Sequence, residues 1–245
     1  MKNKNLRIKI LFIAAPVALF FGALAVYSTK MAFASDPELS AKVEKAVNQR
    51  YGTNYFRFNV QSEGKTLTYL SEVHRFSTET DAISLKVVNA DVKINKGIED
   101  KIIVRAEGAG TEKLLNVRWS DKELSIEQNE HHSERLTIEV TVPKAYRNEL
   151  SLKTVSGEVK IKDMRFANVE IKSVSADIEL KNVDQSSLKI ETISGGVDLK
   201  LSGAADDYNF ELKSLSGAIK NQHKAAKNGP KLVKISTISG DLEIE

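Results

Sequence analysis

The last third of the chain carries a fixed grid of apolar positions set around five serines, Ser156, Ser175, Ser194, Ser216 and Ser239. Apolar residues fall six, four and one places before the serine and three and five places after it, Asn221 being the one exception. For Ser194 these are Leu188, Ile190, Ile193, Val197 and Leu199; for Ser175 they are Val169, Ile171, Val174, Ile178 and Leu180. Period two on each side marks a strand, because alternate side chains of a strand face opposite ways. The odd step between the halves breaks that parity, so the chain has to bend near the serine for both rows to face one core. The grid therefore predicts that Val155, Val174 and Ile193 stack inside a continuous hydrophobic spine.

The residues at the bend suit it. Thr154-Val155-Ser156-Gly157, Ser173-Val174-Ser175-Ala176, Thr192-Ile193-Ser194-Gly195, Ser214-Leu215-Ser216-Gly217 and Thr237-Ile238-Ser239-Gly240 share one plan, with a small residue just after each central serine. Small residues permit a sharp corner and a close backbone approach. Successive copies lie 19, 19, 22 and 23 residues apart, and self-similarity at that interval means stacked units that complete one another's core. The expected fold is all-β: a parallel β-solenoid, β-helix-like, with coils of roughly 20 residues. Five aliphatic side chains per coil at about 1.5–3 kcal/mol each offset the cost of ordering the backbone.

Laid backwards, the grid finds an earlier copy at Asn89, with Ile83, Leu85, Val88, Val92 and Ile94 at the expected offsets, and a degraded one at Asp121, with Leu115, Val117, Leu124 and Ile126. Leu136, Ile138, Val140 and Val142 alternate up to Pro143, which cannot donate to a ladder and closes that strand. No Asn-Gly or Asp-Gly pair joins two apolar runs, which argues against hairpins; the lone Asn228-Gly229 lies in a polar loop. Five places before the central serine stand Glu170, Lys189, Glu211 and Lys234, an alternation of sign that favours in-register stacking of successive coils.

The N-terminus changes the picture of charge and compartment. Lys2, Lys4, Arg7 and Lys9 precede an uncharged apolar run over residues 10–27, and Ala32-Phe33-Ala34 follows as a small-x-small site. This is an export signal over residues 1–34, cleaved after Ala34 or retained as a single-pass anchor, and either way the bulk of the chain lies outside the cytoplasm, in the periplasm or at the cell surface. Without that segment the formal charge of +3 becomes about −2, and no basic stripe remains to argue for nucleic acid. Residues 35–54 read as a short capping helix, with Asp36 as N-cap and Pro37 in the first turn, ahead of a β domain over residues 55–245. The chain ends inside a strand, Asp241-Leu242-Glu243-Ile244-Glu245. Its acidic residues would guard an open edge, or the edge would pair with a partner or a second copy.

The strand ending at Val142-Pro143, the Leu150-x-Leu152 strand, and Thr154-Val155-Ser156-Gly157-Glu158-Val159-Lys160-Ile161 with its echoes together resemble the bacterial adhesin-like domain family of unknown function, over about residues 83–245. The resemblance implies a β-solenoid on exported or membrane-anchored proteins, with links to adhesion and envelope stress, and it brings no catalytic set. The chain departs from the family pattern at Ala176 and in the insertion from Asn221 to Lys231.

No catalytic, cofactor or metal residue is assigned. A nucleophilic serine needs a positioned base, and His74, His131, His132 and His223 lie outside all five motifs; a serine column at a corner instead hydrogen-bonds along the stack. Adjacent His131 and His132 diverge on a strand and chelate poorly. The acidic residues two places past the corner, Asp91, Glu158, Asp177 and Asp241, raise Ca²⁺ binding or glycan cleavage, but Gly196 and Ala218 interrupt the column and Trp119 is the single tryptophan for sugar stacking. His223, Lys224, Lys227 and Lys231 form a cationic loop suited to an anionic envelope polymer. The expected function is a non-enzymatic, exported envelope protein presenting a binding or scaffold surface to an envelope polymer or protein partner. The alternatives are a membrane-tethered envelope-stress regulator and a carbohydrate-active enzyme.

Overall fold

The computed structural model describes residues 54–245 apart from 63–64, 111, 130–133 and 224–228. The expected export segment, the expected capping helix as far as residue 53, and His131, His132, Lys224 and Lys227 lie outside the described residues. Apart from one 3-10 turn over Ala205–Asp207, the regular structure described is all strand.

The repeat predicts rungs, and rungs form. Each has an entering limb, a corner and a leaving limb. The Asn89 rung is β3 (Ala82–Lys86) and β4 (Ala90–Gly97). The Ser156 rung is β9 (Glu149–Lys162), and the Ser175 rung lies within β10 (Arg165–Ser194), which also holds the entering limb of the Ser194 rung ahead of β11 (Val197–Leu201). The Ser216 rung is β12 (Tyr208–Ser214) with β13 (Ile219–Asn221), and the Ser239 rung is β14 (Lys231–Ser239) with β15 (Leu242–Ile244). Neighbouring rungs pair in parallel at the predicted offset: Leu150 opposes Val169, Ser156 opposes Ser175 and Ile178 opposes Val197. Stacked in this way, Leu152, Ile161, Ile171, Leu180, Ile190, Leu199, Ile235 and Ile244 have no exposed surface.

The order of the stack departs from the order of the chain at both ends. Ser194 is in register with Ser239, and β14 lies between β10 and β12, as β15 does between β11 and β13. The last rung is thus inserted between the two that precede it. At the other end the Asn89 rung stacks directly on the Ser156 rung, while β7 (Glu123–Gln128) and β8 (Leu136–Pro143) form a rung on its far side. The sheet is open, and at this end it continues antiparallel through β5 (Ile102–Ala109), β2 (Lys65–Phe76) and β1 (Asn54–Ser62), with β6 (Leu115–Ser120) beside β7.

Four expectations need correction. Asp121 is no corner: Asp121 and Lys122 both take positive φ (49° and 63°) and close the β6–β7 hairpin, a turn made without glycine. The C-terminal strand is no open edge, since β15 is paired on both sides; the edges at this end are β12 and β13. The charges five places before the corner pair as Glu170–Lys189 (3.3 Å) and Lys234–Glu211 (3.0 Å), but Lys189 opposes Lys234, because the stack does not follow chain order. Finally, the spine lacks one predicted column. Val155, Val174 and Ile193 are 44%, 43% and 49% exposed.

Candidate binding surface

That last correction locates the most distinctive surface of the molecule. Period two inward from positions six and four before the corner continues to position two, not to position one. Thr154, Ser173, Thr192 and Thr237 are buried there, and Thr154 and Thr192 donate to the corner carbonyls of Ser156 (3.1 Å) and Ser194 (2.8 Å). The residue just before each corner serine therefore points outward. Val88, Val155, Val174, Ile193, Ile238 and Leu215 follow one another in stack order, each between 43% and 82% exposed. At about 4.8 Å per rung they make an aliphatic ladder roughly 24 Å long. The signal was present in the sequence, in the threonines and serines that keep the inward parity.

The corner itself is held by backbone contact. Gly157 takes φ 118°, and a Cβ there would lie 2.0 Å from the carbonyl oxygen of Ala90; Gly195, at φ 110°, would meet the Ala176 oxygen at 2.2 Å. Gly240 and Gly217 press on the Gly195 and Gly240 oxygens in the same way, at 2.1 and 2.2 Å. Ala176 replaces glycine without strain because its own φ is ordinary. Of the corner hydroxyls, Ser156 Oγ donates along the stack to the Val88 carbonyl at 3.3 Å, while Ser175, Ser194, Ser216 and Ser239 continue the column.

Past the corner the acidic column finds a structural use. Asp91 accepts from the backbone N–H of Glu158 (3.0 Å), Asp177 from that of Gly196 (2.9 Å), and Asp241 from that of Ala218 (2.8 Å). The two interruptions in the column, Gly196 and Ala218, are positions that receive a neighbour's carboxylate. Beside it runs an open groove of about 320 Å³ bordered by Glu158, Asp177, Glu179, Asp198, Asp241 and Glu243. On the entering limb the flank is cationic, with Lys86, Lys153 and Lys172 three places before the corner. Next to it Glu170, Lys172, Lys189 and Glu191 form a square of ion pairs at 3.0–3.4 Å. Hydrogen bonds from Lys172 hold the Glu170 carboxyl below its ordinary range, and those from Lys189 do the same for Glu191.

These rungs, from the Asn89 rung to the final strand, coincide with a family match over residues 80–245, described as Toastrack DUF4097. The chain belongs to the Toastrack family. A solved structure of a "putative cell adhesion protein" from Clostridium sporogenes is similar in fold, with 18% identity, a TM-score of 0.51, and coverage of 71% of this chain and 97% of that one. A "putative adhesin" from Bacteroides fragilis is 11% identical, with a TM-score of 0.33 and coverage of 80% and 98%. No curated protein matches the sequence.

Within the Toastrack region the cationic loop is less free than its sequence implies. Lys231 donates to Asp184 at 2.8 Å and lies 5.1 Å over the Tyr208 ring, and the bond to Asp184 raises its pKa. His223 stacks on Phe210 with ring centroids 6.4 Å apart. Of the four cationic residues, His223 thus folds onto Phe210 of the end rung, and Lys231 bridges Tyr208 of that rung and Asp184 of β10. His74 contacts the buried Glu72 at 3.3 Å, and Trp119 sits on β6, at the opposite end of the stack from β12, donating to Thr80 at 3.2 Å. Among the described residues no group of three or more His, Cys, Asp or Glu is placed to hold a metal ion.

Proposed function

We propose that this Toastrack protein is a non-enzymatic, exported, adhesin-like envelope protein whose rigid β stack presents the aliphatic ladder to a partner. One observation carries this reading: Val88, Val155, Val174, Ile193, Ile238 and Leu215 keep 43–82% of their surface exposed in an unbroken column. Scattered exposed aliphatics are ordinary, but a contiguous stripe of them marks a contact surface. The adhesion-protein description of the similar Clostridium fold supports a binding role. The basic, then apolar, N-terminal segment supports export, with residues 10–27 as an anchor if they are retained.

The test is retention on isolated cell-envelope material of the full chain and of Val174→Asp and Ile193→Asp variants, with folding checked by circular dichroism. Loss of retention by folded variants supports the reading. Equal retention by all three removes the ladder from it, and turnover of anionic glycans, with or without Ca²⁺, would replace it with the enzyme alternative.

A further inference from the structure

The ladder does not stand alone. At three successive rungs of the stack it is flanked by opposite charges: Lys86, Val88, Asp91; Lys153, Val155, Glu158; Lys172, Val174, Asp177. Each rung reads cation, aliphatic, anion across the surface, with the lysine two positions to one side of the ladder and the carboxylate three to the other. The remaining rungs carry Glu191 and Gly196, Ser236 and Asp241, Lys213 and Ala218 at the same two places.

Such a pattern meets itself without like-charge contacts in one direction only. A two-fold axis parallel to the stack lays ladder on ladder and sets the lysine side of each copy against the acidic side of the other: Lys86 faces Asp91, Lys153 faces Glu158 and Lys172 faces Asp177, each twice. At the other three rungs no like charges meet. An axis across the stack turns the second ladder end for end: Lys172 then meets Glu191, but Lys86 approaches Lys213, Glu158 approaches Asp241, and Lys153 gains no anion. Lys86 already pairs with Glu127 at 2.9 Å and Lys172 with Glu170 and Glu191, whereas Lys153 is exposed and makes no ion pair among the described residues, so it is the flank lysine most open to a facing carboxylate. The ladder exposes on the order of 500 Å² of apolar surface, at the upper end of what monomeric proteins leave uncovered and more than half of one partner's share of a standard interface.

We propose that the occupant of the ladder is a second copy of this chain, packed ladder on ladder with both stacks running the same way. This rests on the reading of the ladder as a binding surface and names its partner. Burial of the aliphatic column supplies attraction, and the flanking columns supply direction, since like charges brought together oppose the reversed arrangement.

The chain has no cysteine, so single cysteines report the contact directly in the full chain. Val88→Cys, Ile193→Cys and Leu215→Cys variants are oxidised mildly, with Asp100→Cys as a control away from the ladder. Each ladder variant is expected to form a disulfide dimer with itself and Asp100→Cys is not; differently tagged Val88→Cys and Leu215→Cys are not expected to cross-link to each other. Adding Lys153→Glu or Glu158→Lys to Ile193→Cys should reduce cross-linking at least tenfold for each alone, and mixing the two should restore it, because each then meets its opposite. Absence of ladder-specific cross-links, or mixed Val88–Leu215 dimers in preference to self-dimers, overturns the proposal. If cross-linking fails while Val174→Asp still loses envelope retention, the occupant is a foreign partner and the binding surface stands; if both fail, the ladder is not a docking surface.

Discussion

Ser194 is in register with Ser239, 45 residues further along the chain, and not with Ser216, 22 residues away. The final strands are therefore structural members of the stack, inserted after the preceding rung is already in the chain. β12 has β14 as its sole strand neighbour among the described residues, and β13 has β15. The Ser216 rung is attached to the molecule through the rung that follows it.

Truncation tests this order. Ending the chain at residue 230 removes β14 and β15, and the Ser216 rung loses every strand partner it has. The expected result is loss of protection over residues 208–221 in hydrogen exchange and early proteolysis near Leu215, with protection kept in the Ser156 and Ser175 rungs. A stack built in chain order would lose only its last rung and keep residues 208–221 protected.

Gly157 and Ala176 occupy equivalent corners but are not interchangeable. Gly157→Ala would force a Cβ to within 2.0 Å of the Ala90 oxygen at a φ of 118°, and should cost more than about 2 kcal/mol. Ala176→Gly relieves nothing and should cost about 1 kcal/mol or less through unfolded-state entropy. Urea denaturation of the two variants gives both numbers, and a similar cost for both would refute the corner geometry.

Much of this was legible in the sequence, for identifiable reasons. Leu152, Ile171 and Ile190 announce their strands because burial on one face enforces period two, and the 19-residue offset fixes the parallel register because equivalent residues must stack. The rung order was not legible, because every copy offers the same edge to every other and nothing local distinguishes Ser216 from Ser239 as the neighbour of Ser194. The Asp121-Lys122 turn escaped because its positive φ values are held without glycine. The ladder was misplaced by one residue, since Val155 is apolar and Thr154 is not, although Thr154 is the side chain that is buried.

Asp91 provides a pH-dependent test of the corner caps. Burial pushes its carboxyl up, but a bidentate bond from Arg135 (2.9 and 2.6 Å) and the N–H of Glu158 outweigh that and hold it below its ordinary value. A carboxyl lowered by folding stabilises the protein above its unfolded pKa, and that contribution disappears as the pH falls through the folded pKa. Asp91→Asn should therefore cost about 1–2 kcal/mol at neutral pH. The deficit should persist down to the ordinary carboxylate range and vanish only in stronger acid, where both proteins carry a neutral side chain. A deficit independent of pH would mean that packing, not charge, holds the corner.

Gln185 is 2% exposed, and neither atom of its amide has a hydrogen-bond partner among the described residues. Desolvating a polar group without a partner is unfavourable by about 1–3 kcal/mol. Gln185→Met keeps the length of the side chain and removes the unmet polarity, so it should raise stability by about 1 kcal/mol in urea denaturation. A loss of stability of that size would show that the amide is satisfied in solution.

Leu152 and Val155 are three residues apart on one limb and separate the two kinds of aliphatic column. Leu152 has no exposed surface and Val155 keeps 44% of its own. Leu152→Ala opens a cavity between rungs and should cost about 2–5 kcal/mol. Val155→Ser gives up a side chain that is 44% exposed, and should cost no more than about 1 kcal/mol. If the ladder existed to hold the stack together, the two substitutions would have comparable costs. If it exists to be covered by a second copy, Val155→Ser leaves the folded chain nearly as stable as before and weakens self-association, measured by the Ile193→Cys cross-link in the same background. Stability and association then move independently, as they should when a residue serves contact and not folding.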